Sequence, residues 1–555
     1  MIGVIATEAE HSLVREFFEL FKTPWEFYRA GRPYEVLICS GDTFQKSEAK
    51  LVLVYGSGEK PFDRESKTQI HSQRHNAVLR LGENRIPIYG ECAAFNSGGV
   101  HVLTDENTQA AVALRFKSGN QTFVRIGFDL FPEIRHLLTC GQPPTHAQIP
   151  TLELHVAFLR DLIVNCSIPL VEIPPVPVGH GFMACLTHDV DHAGIRSHKC
   201  DHTIVGFLYR AIIGSMIQVC RGRMSVEQLG VNWLAVFRLP FVYLGLAKDF
   251  WRQWDRYSQI EEGLGSTFFV IPFKDNPGQG VNNPKAARRA TRYDIGDIAD
   301  EIRKLRSAGS EIGLHGIDAW LDSARGRVER ERIARETGAS EVGVRMHWLC
   351  YDEKSPLALE AAGFSYDSTS GYNECVGYRA GTVQAFGPMG TMRLLELPMH
   401  VMDTALFYPS RMNLSPAAAE GVVNGLVENA SRFGGVLTIN WHDRSIAPER
   451  LWDDIYVKLL QELKRRGAWF PTAGRAVAWF RKRRSAVIEN VAWEGKALRV
   501  KASVDSGADN LPGLIIRIHR PRAVQTDGAR QTDPAGGFVD IAFNGVMDEC
   551  VALQN

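Results

Sequence analysis

The apolar run Phe182-Met183-Ala184-Cys185-Leu186 reads as a buried strand, and it passes directly into Thr187-His188-Asp189-Val190-Asp191-His192. Two carboxylates at i and i+2, flanked by histidines, therefore stand where a strand ends and a loop begins. In parallel α/β architectures that rim is where ligands and catalytic groups collect. Carboxylate and imidazole are also the donors that hard and borderline divalent cations take. The design recurs along the chain. Glu311-Ile312-Gly313-Leu314 leads into His315-Gly316-Ile317-Asp318, Gly343-Val344 into Arg345-Met346-His347-Trp348, and Val436 to Trp441 into His442-Asp443. Each segment alone reads as a polar strand end. Several strands delivering His, Asp and Arg to one rim of a parallel sheet predict one shared site.

At 555 residues the chain is too long for a single core. Residues 1–175 alternate strands at Ile2 to Ala6, Tyr34 to Cys39 and Leu51 to Tyr55 with a helix at Leu13 to Phe21, and predict an N-terminal α/β domain. Its Gly56-Ser57-Gly58 lacks the third glycine and the helix of a dinucleotide loop. Ile173-Pro174-Pro175-Val176-Pro177 breaks the pattern and marks a boundary. Residues 176–484 carry strands at 182–187, 266–272, 310–314, 342–346, 394–398 and 436–441 between helices, as a parallel sheet or barrel requires. The last strand follows a helix that Ser415 caps, Pro416 opens and Gly434-Gly435 ends. Residues 203–262, with Trp233, Trp251 and Trp254, interrupt this unit as a helical insertion. Residues 485–555 change to short alternating strands with turn signals at Glu494-Gly495 and Asp527-Gly528, which predicts a small β-rich C-terminal domain.

Lys plus Arg and Asp plus Glu both number 63, so no global basic field recruits nucleic acid. The basic runs Lys464-Arg465-Arg466 and Arg481-Lys482-Arg483-Arg484 read as solvated helix faces. No uninterrupted apolar run reaches bilayer length; Trp233 to Leu246 comes nearest and is broken by Arg238 and Pro240, so no transmembrane segment is expected, and the segment reads as part of a buried helix pair, with a peripheral membrane contact as the alternative. Ten cysteines without a CxxC pair, and an N-terminus without a basic start and apolar stretch, point to reduced thiols and a cytoplasmic location.

Taken together, Thr187-His188-Asp189-Val190-Asp191, Ser266-Thr267-Phe268-Phe269, Glu311-Ile312-Gly313-Leu314-His315-Gly316, Gly343-Val344-Arg345 and Asn440-Trp441-His442 resemble the polysaccharide deacetylase-like family, carbohydrate esterase family 4. The resemblance covers roughly residues 180–480 and keeps the family's motif order. It implies an α/β protein with a distorted (β/α) barrel as its catalytic domain, and divalent-metal hydrolysis of an N-acetyl or O-acetyl group on a sugar. Residue by residue, it implies Asp189 as general base, Asp191 and His315 as metal ligands, Arg345 as the group that orients the base through a bidentate contact, and His442 as general acid. The family's second ligand histidine, four residues after the first, is Ala319 here. His347 is the first substitute, because it emerges beside Arg345 on a neighbouring strand; Asp318 and His192 follow. His198 and His202, at i and i+4, read as solvated. Zinc suits an Asp/His/His set, though cobalt, nickel or manganese would also fit. Asp367 is the expected partner of protonated His442. Tyr372, Tyr378, Trp348 and Trp441 offer rings to a sugar, with barrel packing as the alternative, and Tyr372, Arg379 and Trp441 are the expected substrate-binding residues. The expected substrate is an acetylated sugar or glycan precursor. Two alternatives stay open: hydrolysis of a non-sugar amide at the same site, and a non-catalytic glycan-binding protein, which Ala319 would favour.

Overall fold

The computed structural model describes residues 1–41, 47–96, 98–199, 201–280, 286–505, 510–521 and 537–553. The chain divides into two units. One comprises Met1–Gly179, Ala380–Met389 and Trp479–Asn555; the other comprises His180–Arg379 and Gly390–Ala478.

The second unit holds nine strands: β1 (Phe182–Val190), β2 (Ser266–Val270), β3 (Glu311–Gly316), β4 (Val344–Met346), β5 (Tyr366–Asp367), β6 (Leu395–Glu396), β7 (Val401–Met402), β8 (Val436–Asn440) and β9 (Ala468–Trp469); six match the expected strands, and β5, β7 and β9, two residues each, are additional. Every pairing is parallel, in the order β6-β5-β4-β3-β2-β1-β8-β7, with β9 beside the start of β1. Among the described residues no pairing joins β6 to β7. The expected barrel is thus a curled parallel sheet that stays open. β1 is buried at every residue, as a central parallel strand covered on both faces must be. The helix Pro416–Phe433 begins at Ser415, whose hydroxyl accepts from the Ala418 N–H. It ends at Gly434 with a backbone φ of +77°, which turns the chain into β8.

The insertion consists of helices His202–Tyr209, Ser215–Cys220 and Val226–Tyr243, the first two joined without a break by a π-turn at Arg210–Gly214. His202–Cys220 is one continuous run with mean hydropathy 1.5, long and apolar enough to cross a membrane by length and composition. Arg210 interrupts the apolar letters of this run, but the helix continues through it.

In the first unit, strands at Ile2–Ile5, Val36–Cys39 and Leu51–Tyr55 are parallel, and the same nine-stranded sheet continues into the antiparallel hairpin Gln69–Leu81 and Asn84–Asn96. Residues 485–555 do not fold apart from it. Leu170–Glu172 pairs antiparallel with Leu514–His519, and Glu172 accepts from Arg160 at 2.9 Å and lies 2.8 Å from His519 Nε2. Val487–Glu494, Ala497–Ser503 and Val546–Ala552 form a three-stranded sheet beside this one within the same unit. The run at 481–484 is not a solvated face. Arg483 is fully buried and donates to the carbonyls of Glu19 and Leu20 at the end of helix His11–Phe21, and to Ile173. A guanidinium satisfies unpaired helix-end carbonyls and complements their negative pole. The Asp527-Gly528 turn lies outside the described residues.

Candidate functional site

Side chains along a strand alternate faces. Thr187 and Asp189 therefore share one side of β1, and Asp191 continues it just beyond the strand. His315 ends β3 and His347 follows β4, so both imidazoles reach the same rim. Asp191 Oδ1 lies 3.5 Å from His315 Nε2 and 3.4 Å from His347 Nδ1, and the two nitrogens are 2.9 Å apart. Among the described residues this is the one group of three such side chains with converging donor atoms.

These residues fit a divalent cation. Asp191 Oδ1 is buried with no hydrogen-bond partner, an arrangement that native interiors rarely leave uncompensated. His315 Nδ1 sits 3.0 Å from the Arg345 carbonyl, a contact that assigns the proton to Nδ1 and the lone pair to Nε2. The two Asp191–imidazole separations, 3.4 and 3.5 Å, match what bonds of about 2.1 Å to one tetrahedral cation produce, while the two imidazole nitrogens, 2.9 Å apart, would open slightly around it. Burial would raise the Asp191 carboxyl, but His315 and His347 hold it well below the ordinary value. Burial lowers His347, with Asp191 opposing. Both groups are thus biased toward the protonation states that ligands need.

Asp189 stands beside this group without joining it, its Oδ2 being 4.0 Å from His315 Nε2. Arg345 donates from Nη1 to Asp189 Oδ1 at 3.0 Å, and Asn440 donates to Oδ2 at 2.8 Å. The expected bidentate contact is not made. The guanidinium spreads instead over Thr187 Oγ1, the Ser368 carbonyl and Ser368 Oγ at 2.7, 3.0 and 2.9 Å, with Phe269 beneath it. Burial pushes the Asp189 carboxyl up, but Arg345 and His315 bring it below its usual value.

His442 faces the cluster from the end of β8, with Nε2 3.8 Å from Asp191 Oδ2. Its Nδ1 is 2.6 Å from Asp403 Oδ1, and its backbone N–H donates to Asp403 Oδ2 at 2.7 Å. Ser445 also donates to Asp403. Burial would lower the imidazolium, yet the Asp403 carboxylate raises it to about 9. Asp403 opens a short helix directly after β7. It takes the part expected of Asp367, which instead accepts from Thr369 and is paired with Glu396, burial raising both carboxyls.

Other expectations need correction. Trp441 is wholly buried and stacks on Tyr456 at 5.0 Å between ring centroids, facing away from the rim because Asn440 and His442 face toward it. Tyr372 is 2% exposed and lies under the Arg379 guanidinium, 5.6 Å from Cζ to ring centroid, so it offers no open platform, and Tyr378 is wholly buried with its hydroxyl on the Leu426 carbonyl. Trp348 does: it is 39% exposed, its ring is 5.9 Å from that of His347, and it sits at a backbone φ of +64°. A bulky residue rarely adopts that left-handed conformation, and such strain concentrates at functional sites. Asp318 accepts from the Gln279 N–H, and His192 and His198 contact each other at 3.0 Å, so neither alternative ligand joins the cluster. His198 is buried against Asp201 rather than solvated. The position of Ala319 falls in a turn ahead of helix Ser323–Thr337, so no helical i, i+4 histidine pair is available there.

No protein-family model matches this chain, and no curated protein matches it either. Solved structures similar to it include a Mycobacterium smegmatis protein named as a polysaccharide deacetylase (20% identity, 56% of this chain and 95% of that one, TM-score 0.33). An allantoinase is similar at 15% identity, over 55% of this chain and 92% of that one, with a TM-score of 0.33. The carbohydrate-esterase domain of a multidomain xylanase from the hindgut metagenome of Trinervitermes trinervoides is similar at 12% identity, over 54% and 90%, with a TM-score of 0.25. At these identities and TM-scores the likenesses carry no functional weight, and the reading of function rests on the side-chain geometry.

Proposed function

We propose that this protein is a divalent-metal-dependent hydrolase that removes an acetyl group from an N-acetylated or O-acetylated sugar or glycan precursor. One observation carries the reading: a ligand set of Asp191, His315 and His347 has a carboxylate on one side, at Asp189, and a carboxylate-backed imidazole on the other, at His442. A cation held by that set, zinc first by its donors, supplies Lewis acidity to the acetyl carbonyl and acidifies water. Asp189, ionised and held by Arg345 and Asn440, takes the proton of the attacking water. His442, kept as imidazolium by Asp403, gives its proton to the departing nitrogen or oxygen. Trp348 presents its exposed face to the sugar ring.

A binding-only role would need neither base nor acid, and a non-sugar amide would leave Trp348 without a use. The scattered cysteines support the cytoplasmic assignment. The test is acetate release by the zinc-loaded protein from acetylated oligosaccharides, acetylated sugar nucleotides and lipid-linked acetyl sugars. Release from at least one of them, reduced about a hundredfold or more in Asp189→Asn and in His442→Ala, is expected. No release from any of them by metal-loaded protein would refute the reading.

A further inference from the structure

We infer that the helical insertion is a docking surface for an anionic lipid bilayer, and that it holds the catalytic rim against the membrane. This goes beyond the proposed chemistry and does not depend on it. The insertion follows the loop that leads on from Asp191, its first helix starting at His202. Its inner face is a small core of Ile204, Phe207, Ala211, Ala235, Val242 and Trp251. That core is tied to the rim, since Trp251 packs on His192 and His198 at 5.7 Å and Arg444, two residues after His442, lies over its ring at 4.8 Å.

The outer face is apolar where a soluble helix would be polar. On His202–Cys220 the exposed positions Val205, Tyr209, Ile213 and Met216 follow helical spacing, and on the next helix Leu234, Phe237, Phe241 and Leu244 do the same. Phe237 and Leu244 are each 72% exposed. A core helix would be mostly enclosed, yet the most apolar stretch of His202–Cys220 is 28% buried, and the helix begins too far into the chain to be an N-terminal leader. Contiguous exposed apolar surface of this kind marks an interaction site.

Charge identifies the occupant. The three helices and the turn after them, residues 202–248, carry Arg210, Arg221, Arg223, Arg238 and Lys248 against the single acid Glu227, in a chain whose formal net charge is zero; Asp201 and Asp249 flank this stretch and accept from backbone N–H groups, and residues 249–262 add two arginines and four acids. Four of the five cations, all but Arg210, are exposed, and Arg238 adjoins Phe237. Trp233 is 48% exposed on the same helix. Apolar side chains flanked by arginine, lysine and tryptophan are the composition of helices that lie in the lipid headgroup boundary, where anionic headgroups meet the cations and acyl chains meet the apolar stripe. Pairing this face with a second copy would set the same cations against each other. Both ends of the insertion return to the sheet and its inner face is packed, so it lies on the bilayer rather than spanning it. Under the proposed hydrolase reading, on which this one consequence rests, the substrate is one carried by the membrane.

The test is flotation of the full-length, metal-loaded protein with vesicles of phosphatidylcholine alone and of phosphatidylcholine mixed with phosphatidylglycerol. The protein is expected to float with the mixed vesicles, less at high salt and less with phosphatidylcholine alone. Phe237→Glu combined with Leu244→Glu should lower partitioning about tenfold or more. Arg221→Ala, Arg223→Ala and Arg238→Ala together should remove the preference for anionic vesicles. All these positions are exposed, and unchanged circular dichroism and metal content would show that the variants fold. Absence of flotation by the wild type, flotation unchanged in both variants, or a solution dimer lost in Phe237→Glu in place of lipid binding would overturn the inference.

Discussion

The substitution Asp403→Asn isolates the carboxylate that sets the charge of His442. In the wild type Asp403 contacts His442 Nδ1 at 2.6 Å and accepts its backbone N–H at 2.7 Å, both groups being buried. The carboxylate overcomes a burial that would lower the imidazolium and holds it at about 9 instead of 6.5. Asparagine keeps the size and the oxygen that can accept the backbone N–H but removes the charge. The His442 titration should therefore fall by two pH units or more, which at 1.36 kcal/mol per unit is about 3 kcal/mol of lost preference for the imidazolium. At pH 8 the protonated fraction would drop from most of the population to about one in thirty if the ordinary value were restored. Two assays read this. Nuclear magnetic resonance of the His442 ring in the metal-free protein gives the titration directly. The pH profile of acetate release should show its alkaline limb moving down, with the activity lost at pH 8 largely recovered by acidification. A bound cation lowers both limbs without changing their order. An unchanged His442 titration in Asp403→Asn would refute the reasoning, whatever the activity does.

Arg345→Met should remove the cation that compensates buried Asp189 and orphan the Ser368 contacts, at a cost of about 3–5 kcal/mol; thermal unfolding of this unit should fall by roughly 5–8 °C, and an unchanged melt would contradict the pairing. Burial raises the Glu396 carboxyl, so the native state keeps a proton that the unfolded chain releases above its ordinary 4.5. That contribution is complete at low pH and declines as pH rises from the unfolded toward the folded value. Glu396→Gln, which carries its donor at every pH, should therefore be more stable relative to wild type at pH 8 than at pH 5; denaturant titrations at both values check it. If Trp348 serves as the proposed sugar platform, Trp348→Ala should raise KM for a sugar substrate several-fold with little change in the pH profile, since its ring is exposed and it is not one of the proposed proton-transfer groups; a change confined to kcat would remove it from the binding face.

Much of the site was legible because strand ends are local. Asp189, Asp191, His315, Arg345, His347 and His442 each follow an apolar run, and parallel topology brings such ends together. The helix from Ser415 to Gly434 was readable from its cap, its proline and its glycines. Asn440 was within reach, since period-two alternation puts it on the side of His442 and turns Trp441 away. Asp403 was not. It arrives from a two-residue strand 39 positions before His442, with no apolar run to announce it. The C-terminal strands were legible, but their union with the N-terminal unit was not: the pairing of Leu170 with His519 spans hundreds of residues, and no local pattern specifies it. Arg483 looked like a surface charge because sequence does not reveal that helix-end carbonyls wait for it.

The most direct measurement of the central claim is zinc binding by the metal-stripped protein, followed by calorimetry and elemental analysis, in wild type, His347→Ala and Asp191→Asn. The three-residue site predicts about one equivalent per chain in the wild type and its loss in both variants, with circular dichroism unchanged. A wild type that takes up no cation, or a His347→Ala protein that keeps its full equivalent, would contradict it.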